Sequence, residues 1–287
     1  MIQESLILPI QQPQLFTKER KPFSRILFLG PPGTGKTEIA RAIASEIKGT
    51  FFNPSVSDLI SKFQGESSRL IKALFEKARE LVPSVIFFDE IDSLGSMRSD
   101  NENESTRQIK TELLLQIDGL GRENKKVFVL ASTNVPWALD SAILRRFEKR
   151  IYIGLPDENA RNHLIRLCIG SMEHDLTDEQ IKECSEQTDG FSGSDIKAFV
   201  TDVLFEPLRE FNRATHFKLK KDMWIVCNKE DENAVEKKMK DIPHGTMQAS
   251  NLNWIHVQKA LSNKKKSIQT VDLKRFEQWT QEFAIIG

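Results

Sequence analysis

The sequence predicts an α/β fold: a three-layer parallel sheet covered by helices, followed by a smaller, helical second domain. Three observations predict it. Short apolar runs alternate with segments of helical period along the first half of the chain. A glycine-rich turn joins the first run to the first helix. After Leu155-Pro156-Asp157 the apolar runs stop and the helical period continues alone.

Residues 25–29 (RILFL) form a short apolar run that ends at Gly30. The segment TEIARAIASEI follows, with Ile39, Ala42, Ile43 and Ile47 at helical spacing. The unit is therefore strand, glycine loop, helix. Residues 66–80 are helical through Leu70, Ile71, Leu74, Phe75 and Ala78. Residues 84–88 (SVIFF) are a continuous apolar run, as expected of a strand buried on both faces. A helix is predicted over 104–117, a second buried strand over 127–132 (VFVLAS), and a short last strand over 151–153 (IYI). In such sheets the ligand lies beyond the carboxyl ends of the strands. Gly30, Asp89 and Asn134 each sit just past a predicted strand end.

The sequence divides into a large domain over 1–155 and a small helical domain over 156–287. Helices are predicted at 158–170, 177–187, 193–211 and, at the C-terminal end, 270–284. Residues 217–246 are charged and irregular around MWIVC, and read either as a solvated loop or as a small β insertion.

Composition excludes several classes. Lys+Arg and Asp+Glu are both 41, so nothing demands nucleic acid as a bulk electrostatic partner, and Lys264–Lys266 reads as a solvated loop. Cys168, Cys184 and Cys227 are too few and too irregular for a disulfide framework, which points to a reducing, cytoplasmic compartment. No apolar run approaches the roughly 18 residues of a membrane span. The N-terminal stretch lacks a signal-peptide pattern, so any membrane association is expected to be peripheral.

The chemistry lies in four places. GPPGTGKT at 30–37 matches the P-loop pattern. Its glycines let backbone N–H groups turn toward phosphates, and the helix that follows directs its positive end at them. Pro32, Gly33, Thr34, Gly35, Lys36 and Thr37 form the expected cradle for ATP or ADP, with Lys36 on the β- and γ-phosphates and Thr37 on Mg²⁺. FFDEID at 87–92 ends a buried strand in two carboxylates. Asp89 is expected to hold the metal, and Glu90 to orient and deprotonate the attacking water. Asn134 could hold that water and sense the γ-phosphate. Arg145 and Arg146 offer planar donor forks suited to phosphate, with a surface ion pair as the alternative.

These residues resemble the AAA ATPase family, a P-loop NTPase fold. FEKARELVPSVIFFDEIDSL is similar to its helix and acidic-motif block, and ASTNVPWALDSAILRRFEKRIYIGLPD to its second region of homology. DGFSGSDI, with Gly193, resembles the small-domain segment near the nucleotide. Within the family, PWALDSAILRRFEKRIYI, REFNRATHFK and the stretch after it look like the vacuolar-sorting members that disassemble ESCRT filaments on membranes. The microtubule-severing members share the core and a tail like WTQEF but lack the β insertion.

The resemblance implies a hexameric ring with ATP at each subunit boundary, so that Arg145 and Arg146 reach into a neighbour's site. It implies a pore-facing loop carrying Lys62, Phe63 and Gln64, a short β insertion in the small domain that receives an activator, ESCRT filament subunits as substrates, and recruitment from the cytoplasm to endosomal membranes. Three departures stand out. Phe63 and polar Gln64 replace a Trp followed by a large apolar residue. Leu144 replaces an Arg often present before the finger pair. The adenine-packing segment and the N-terminal recruiting module of the family have no counterpart in these 287 residues. A severing motor, or a nucleotide-binding fragment inactive without assembly, are the alternatives.

Overall fold

The computed structural model describes residues 3–17, 20, 22–55, 66–95, 104–120 and 126–286. The chain divides into two compact units, Met1–Gly154 with Gln269–Gly287, and Leu155–Ile268.

Among the described residues the larger unit is built on six strands: β1 (Arg25–Leu29), β2 (Thr50–Phe52), β3 (Ser84–Phe88), β4 (Val127–Thr133), β5 (Lys149–Tyr152) and β9 (Ile285–Ile286). They lie in the order β2-β3-β4-β1-β5-β9, and every pairing is parallel. β3 and β4 are buried along their whole length, which is why their sequences run apolar without alternation.

Successive strand residues point to opposite faces, and the core divides accordingly. Leu27, Ile86, Phe88, Val129 and Ala131 face one layer, packed with Ile71 and Phe75 of α2 (Glu66–Glu80) and Ile109, Leu113 and Ile117 of α3 (Glu104–Leu120). Ile26, Phe28, Val85, Phe87 and Leu130 face the other, packed with Ile43 and Ile47 at the end of α1 (Lys36–Glu46) and with Leu6 near the N-terminus. The stripe spacing of α2 and α3 is the spacing that this packing needs.

The sequence reading groups the C-terminal helix with the small domain. In the structure α8 (Thr270–Phe283) belongs with the larger unit. Its Phe276 ring lies 5.0 Å from Trp137 and 6.1 Å from Tyr152, and Arg275 stacks over Trp137 at 3.9 Å. β9 then adds to the sheet beside β5. β5 also starts two residues before the predicted strand, because Lys149 and Arg150 pair with Ile26 and Leu27 of β1.

The smaller unit contains α4 (Glu158–Ile169), α5 (Asp178–Gln187), α6 (Gly193–Arg213) and α7 (Trp254–Ser262). Their starts are capped by Asp157, Thr177, Ser192 and Asn253, each accepting a backbone N–H. Ile165, Ile181, Phe199, Val203 and Val257 share its core. Of the two readings of 217–246, the β insertion forms. Strands β6 (His216–Lys220), β7 (Met223–Val226) and β8 (Val235–Glu236) pair antiparallel in the order β7-β6-β8. Lys221 and Asp222 turn the hairpin with φ of 48° and 64°, as a two-residue turn of that hand requires. Phe217, fully buried, stacks on Phe211 with ring centroids 6.2 Å apart. Buried Ile242 joins the same cluster.

Candidate active site

The P-loop leaves β1 at Gly30, which has φ of 147°. A Cβ there would lie 2.1 Å from the Ile153 carbonyl oxygen, so the strand and the loop can approach only because the residue is glycine. Thr34 closes the turn by donating from Oγ1 to the Pro31 carbonyl at 3.0 Å. Gly35, with φ of 88°, opens α1, and exposed Pro32 stands in the loop.

Lys36 is only 7% exposed. Its Nζ donates to the carbonyls of Gly30 at 2.8 Å and Pro31 at 2.7 Å. Burial pushes the ammonium down to about 8, against the opposing pull of Asp89, Asp92 and Glu90. A strained cation among carboxylates and backbone carbonyls is a site prepared for an anion of higher charge.

Asp89 and Glu90 stand at the carboxyl end of β3. Thr37 Oγ1 donates to Asp89 Oδ2 at 2.7 Å, which brings two hard oxygen donors of different elements together. Glu90 has φ of 50°, a left-handed conformation that is costly for a side chain with a Cβ. Its backbone N–H donates to Asp89 Oδ1 at 3.1 Å and Ser132 Oγ at 3.3 Å. The Ile91 N–H donates to the Ser132 carbonyl at 3.0 Å. The Glu90 side chain is exposed.

β4 ends beside this turn. Ser132 Oγ donates to Asp89 Oδ1. Thr133 Oγ1 donates to Asp92 Oδ1 at 2.6 Å and accepts the Val135 N–H at 3.0 Å. Asn134 lies between, and its Oδ1 is buried with no hydrogen-bond partner among the described residues. An orphaned, buried amide oxygen suits a water or hydroxyl donor.

Arg145 and Arg146 follow the helical turn Ser141–Leu144, which Asp140 caps by accepting the Ala142 N–H at 2.8 Å. Lys110 pairs with Asp140 at 2.7 Å in a nearly buried ion pair. Arg150 holds the end of the turn by donating to the Leu144 carbonyl at 2.8 Å. The two arginines differ. Arg145 is exposed and makes no ion pair among the described residues. Arg146 Nε lies 2.7 Å from Asp118 Oδ1, an ion pair without hydrogen-bond alignment.

Gly193 is the first residue of α6, where Ser192 and Asp195 cap each other and Ser267 donates to Asp195 Oδ2 at 2.9 Å. It belongs to the smaller unit. Lys62, Phe63 and Gln64 lie outside the described residues. Sequence reading missed Ser132, Thr133, Asp92 and Asp118. The available signal was the polar end of VFVLAST, a strand otherwise apolar.

A glycine cradle, a buried lysine and a strand-end carboxylate pair on a parallel sheet define a P-loop nucleoside triphosphatase. Residues 26–155 match the "ATPase family associated with various cellular activities (AAA)", 178–219 the "AAA+ lid domain" and 224–283 the "Vps4 C terminal oligomerisation domain". Vacuolar protein sorting-associated protein 4B of Mus musculus is 44% identical over 299 aligned residues, covering 100% of this chain and 67% of that protein. Spastin of Anopheles gambiae is 47% identical over 213 residues, covering 74% of this chain and 26% of its own length. The crystal structure of the FIGL-1 AAA domain in complex with ADP superposes with a TM-score of 0.79 at 35% identity, covering 99% of this chain and 86% of that one. The chain belongs to the AAA ATPase family, and its enzymatic class is ATP hydrolase.

Proposed function

We propose that this chain couples ATP hydrolysis to translocation and disassembly of ESCRT filament subunits in endosomal and vacuolar sorting. The observation that carries the reading is the 44% identity to a vacuolar protein sorting ATPase over the whole chain. The three-stranded insertion supports it further, since the severing members of the family are expected to lack one.

In this reading Pro32–Thr37 cradle the phosphates of ATP, with Lys36 on the β- and γ-phosphates. Thr37 and Asp89 hold Mg²⁺, a fit supported by the 2.7 Å approach of their oxygens. When bound, the metal neutralises charge on the phosphates. Glu90 takes the proton of the attacking water, and Asn134 holds that water through its buried amide oxygen. Arg145 and Arg146 act on a neighbouring subunit's ATP within a hexamer, and Gly193 approaches the nucleotide. Lys62, Phe63 and Gln64 grip the substrate in the pore. The insertion receives an activator. The protein is cytoplasmic and joins endosomal membranes peripherally. Among the described residues no helix is long and apolar enough to cross a membrane.

Glu90→Gln tests the chemistry. It should bind ATP like the parent and lose turnover by about 10²–10⁴-fold. Hydrolysis at the parent's rate removes Glu90 from the role of base. Because the fingers serve a neighbour, activity per subunit should rise steeply with protein concentration. A rate that stays flat and near zero identifies a nucleotide-binding fragment without turnover. The shared motor of spastin favours microtubules as the second substrate class. Co-pelleting with ESCRT filaments rather than with microtubules decides between them.

A further inference from the structure

β4 buries seven residues in a row, and its last two, Ser132 and Thr133, are hydroxyls at 1% and 0% exposure. Burying a hydroxyl is costly unless it is hydrogen-bonded, so a strand in this position favours Val or Ala. Both hydroxyls direct their hydrogen bonds to the acidic motif. Ser132 Oγ donates to Asp89 Oδ1 while accepting the Glu90 N–H at 3.3 Å, and its carbonyl accepts the Ile91 N–H at 3.0 Å. One residue therefore holds the turn on three sides, at the point where Glu90 takes its left-handed φ of 50°. Thr133 Oγ1 donates to Asp92 Oδ1 at 2.6 Å and accepts the Val135 N–H at 3.0 Å. That second bond spans Asn134 and sets its backbone, and the first ties it to the residue two places after Glu90.

We propose that Ser132 and Thr133 are positioning residues for hydrolysis: Ser132 aims the metal-holding carboxylate and the base, and Thr133 with Asp92 fixes Asn134 against them. The inference rests on the roles proposed above for Asp89, Glu90 and Asn134. It divides the labour between two adjacent hydroxyls. Ser132 acts through the carboxylate that faces the metal. Thr133 acts through the amide that faces the water and does not touch Asp89.

The two hydroxyls are separable by experiment. Thr133→Val keeps the shape of the side chain and removes both hydrogen bonds. It should bind a fluorescent ADP analogue within about twofold of the parent while kcat falls about 10–100-fold, and Thr133→Ser should restore most of the rate. Ser132→Ala should raise the Mg²⁺ concentration giving half-maximal rate by about 10–100-fold. Excess Mg²⁺ should recover much of its turnover, and none of that lost by Thr133→Val. Asp92→Ala removes the Thr133 bond from its half-buried partner and serves if Thr133→Val does not fold.

All variants are compared with Glu90→Gln at equal, saturating protein concentration. The inference is overturned if Thr133→Val and Asp92→Ala turn over like the parent while Glu90→Gln is inactive. It is also overturned if nucleotide affinity falls in step with kcat, or if the Mg²⁺ requirement of Ser132→Ala is unchanged. If Glu90→Gln itself hydrolyses ATP normally, it is the underlying assignment of the base that fails.

Discussion

Lys36 allows a quantitative prediction, with pH as the perturbation. The folded protein holds this ammonium at about 8, below the ordinary 10.5, because burial penalises the charge more than Asp89, Asp92 and Glu90 stabilise it. Bound phosphates supply the counter-charge that the free site lacks and return the group toward its ordinary value. Nucleotide binding must then take up protons wherever Lys36 is partly neutral. From a value of about 8, uptake is about a quarter of a proton at pH 7.5 and about 0.9 at pH 9. Over the same interval affinity should weaken about eightfold, or about 1.3 kcal/mol.

Isothermal titration of ADP in pairs of buffers with different ionisation enthalpies measures both quantities. For stability the sign is opposite. The folded state binds fewer protons than the unfolded chain between pH 8 and 10.5, so this lysine's penalty is full below pH 8 and is relieved as pH rises through that window. Stability of the free protein from this group should therefore increase there, while the added stability from nucleotide declines. An affinity that is constant from pH 7.5 to 9 with no proton uptake would refute the reasoning.

Three further outcomes are expected. Gly30→Ala, which drives a Cβ to 2.1 Å from the Ile153 carbonyl, should destabilise the protein by about 3 kcal/mol or more, read by thermal unfolding. Trp137→Ala removes the surface on which Phe276 and Arg275 pack, and should cost about 2 kcal/mol and raise amide exchange selectively along Thr270–Phe283. Lys110→Met removes the ammonium that lies 2.7 Å from Asp140 beside the turn that carries Arg145 and Arg146; it should cost about 2 kcal/mol, with hydrolysis falling more than ADP affinity.

Much of the site was legible in the sequence because its chemistry is local. GPPGTGKT must turn tightly and start a helix, so the strand, loop and helix follow from a single stretch of sequence. FFDE places two carboxylates at the end of a strand whose burial on both faces is visible in its composition. Helices α4, α5 and α6 of the smaller unit announced themselves through period; α7 (Trp254–Ser262), which lies in none of the predicted helices, did not. The short strand β2 did not. It is only Thr50–Phe52 at the sheet edge, too brief for a pattern, and it is held by pairing to Ser84–Ile86 of β3. The insertion was ambiguous because charged residues surround it, and Phe217 reads as a core residue only once Phe211 and Ile242 are seen against it.

The sequence by itself determined that the larger unit has a parallel sheet, where the phosphate loop sits on it, and which carboxylates follow. Tertiary structure alone decided which distant segments complete that arrangement. The C-terminal helix joins the larger unit because Phe276 finds Trp137 and Tyr152 across more than a hundred residues of chain. Ser132 and Thr133 look like the ordinary polar end of a strand until β3 and β4 lie side by side and their hydroxyls meet Asp89 and Asp92. Propensity and period act over a few neighbouring residues. A hydrogen bond across forty residues has no period, and it exists only when the sheet has brought its two ends together.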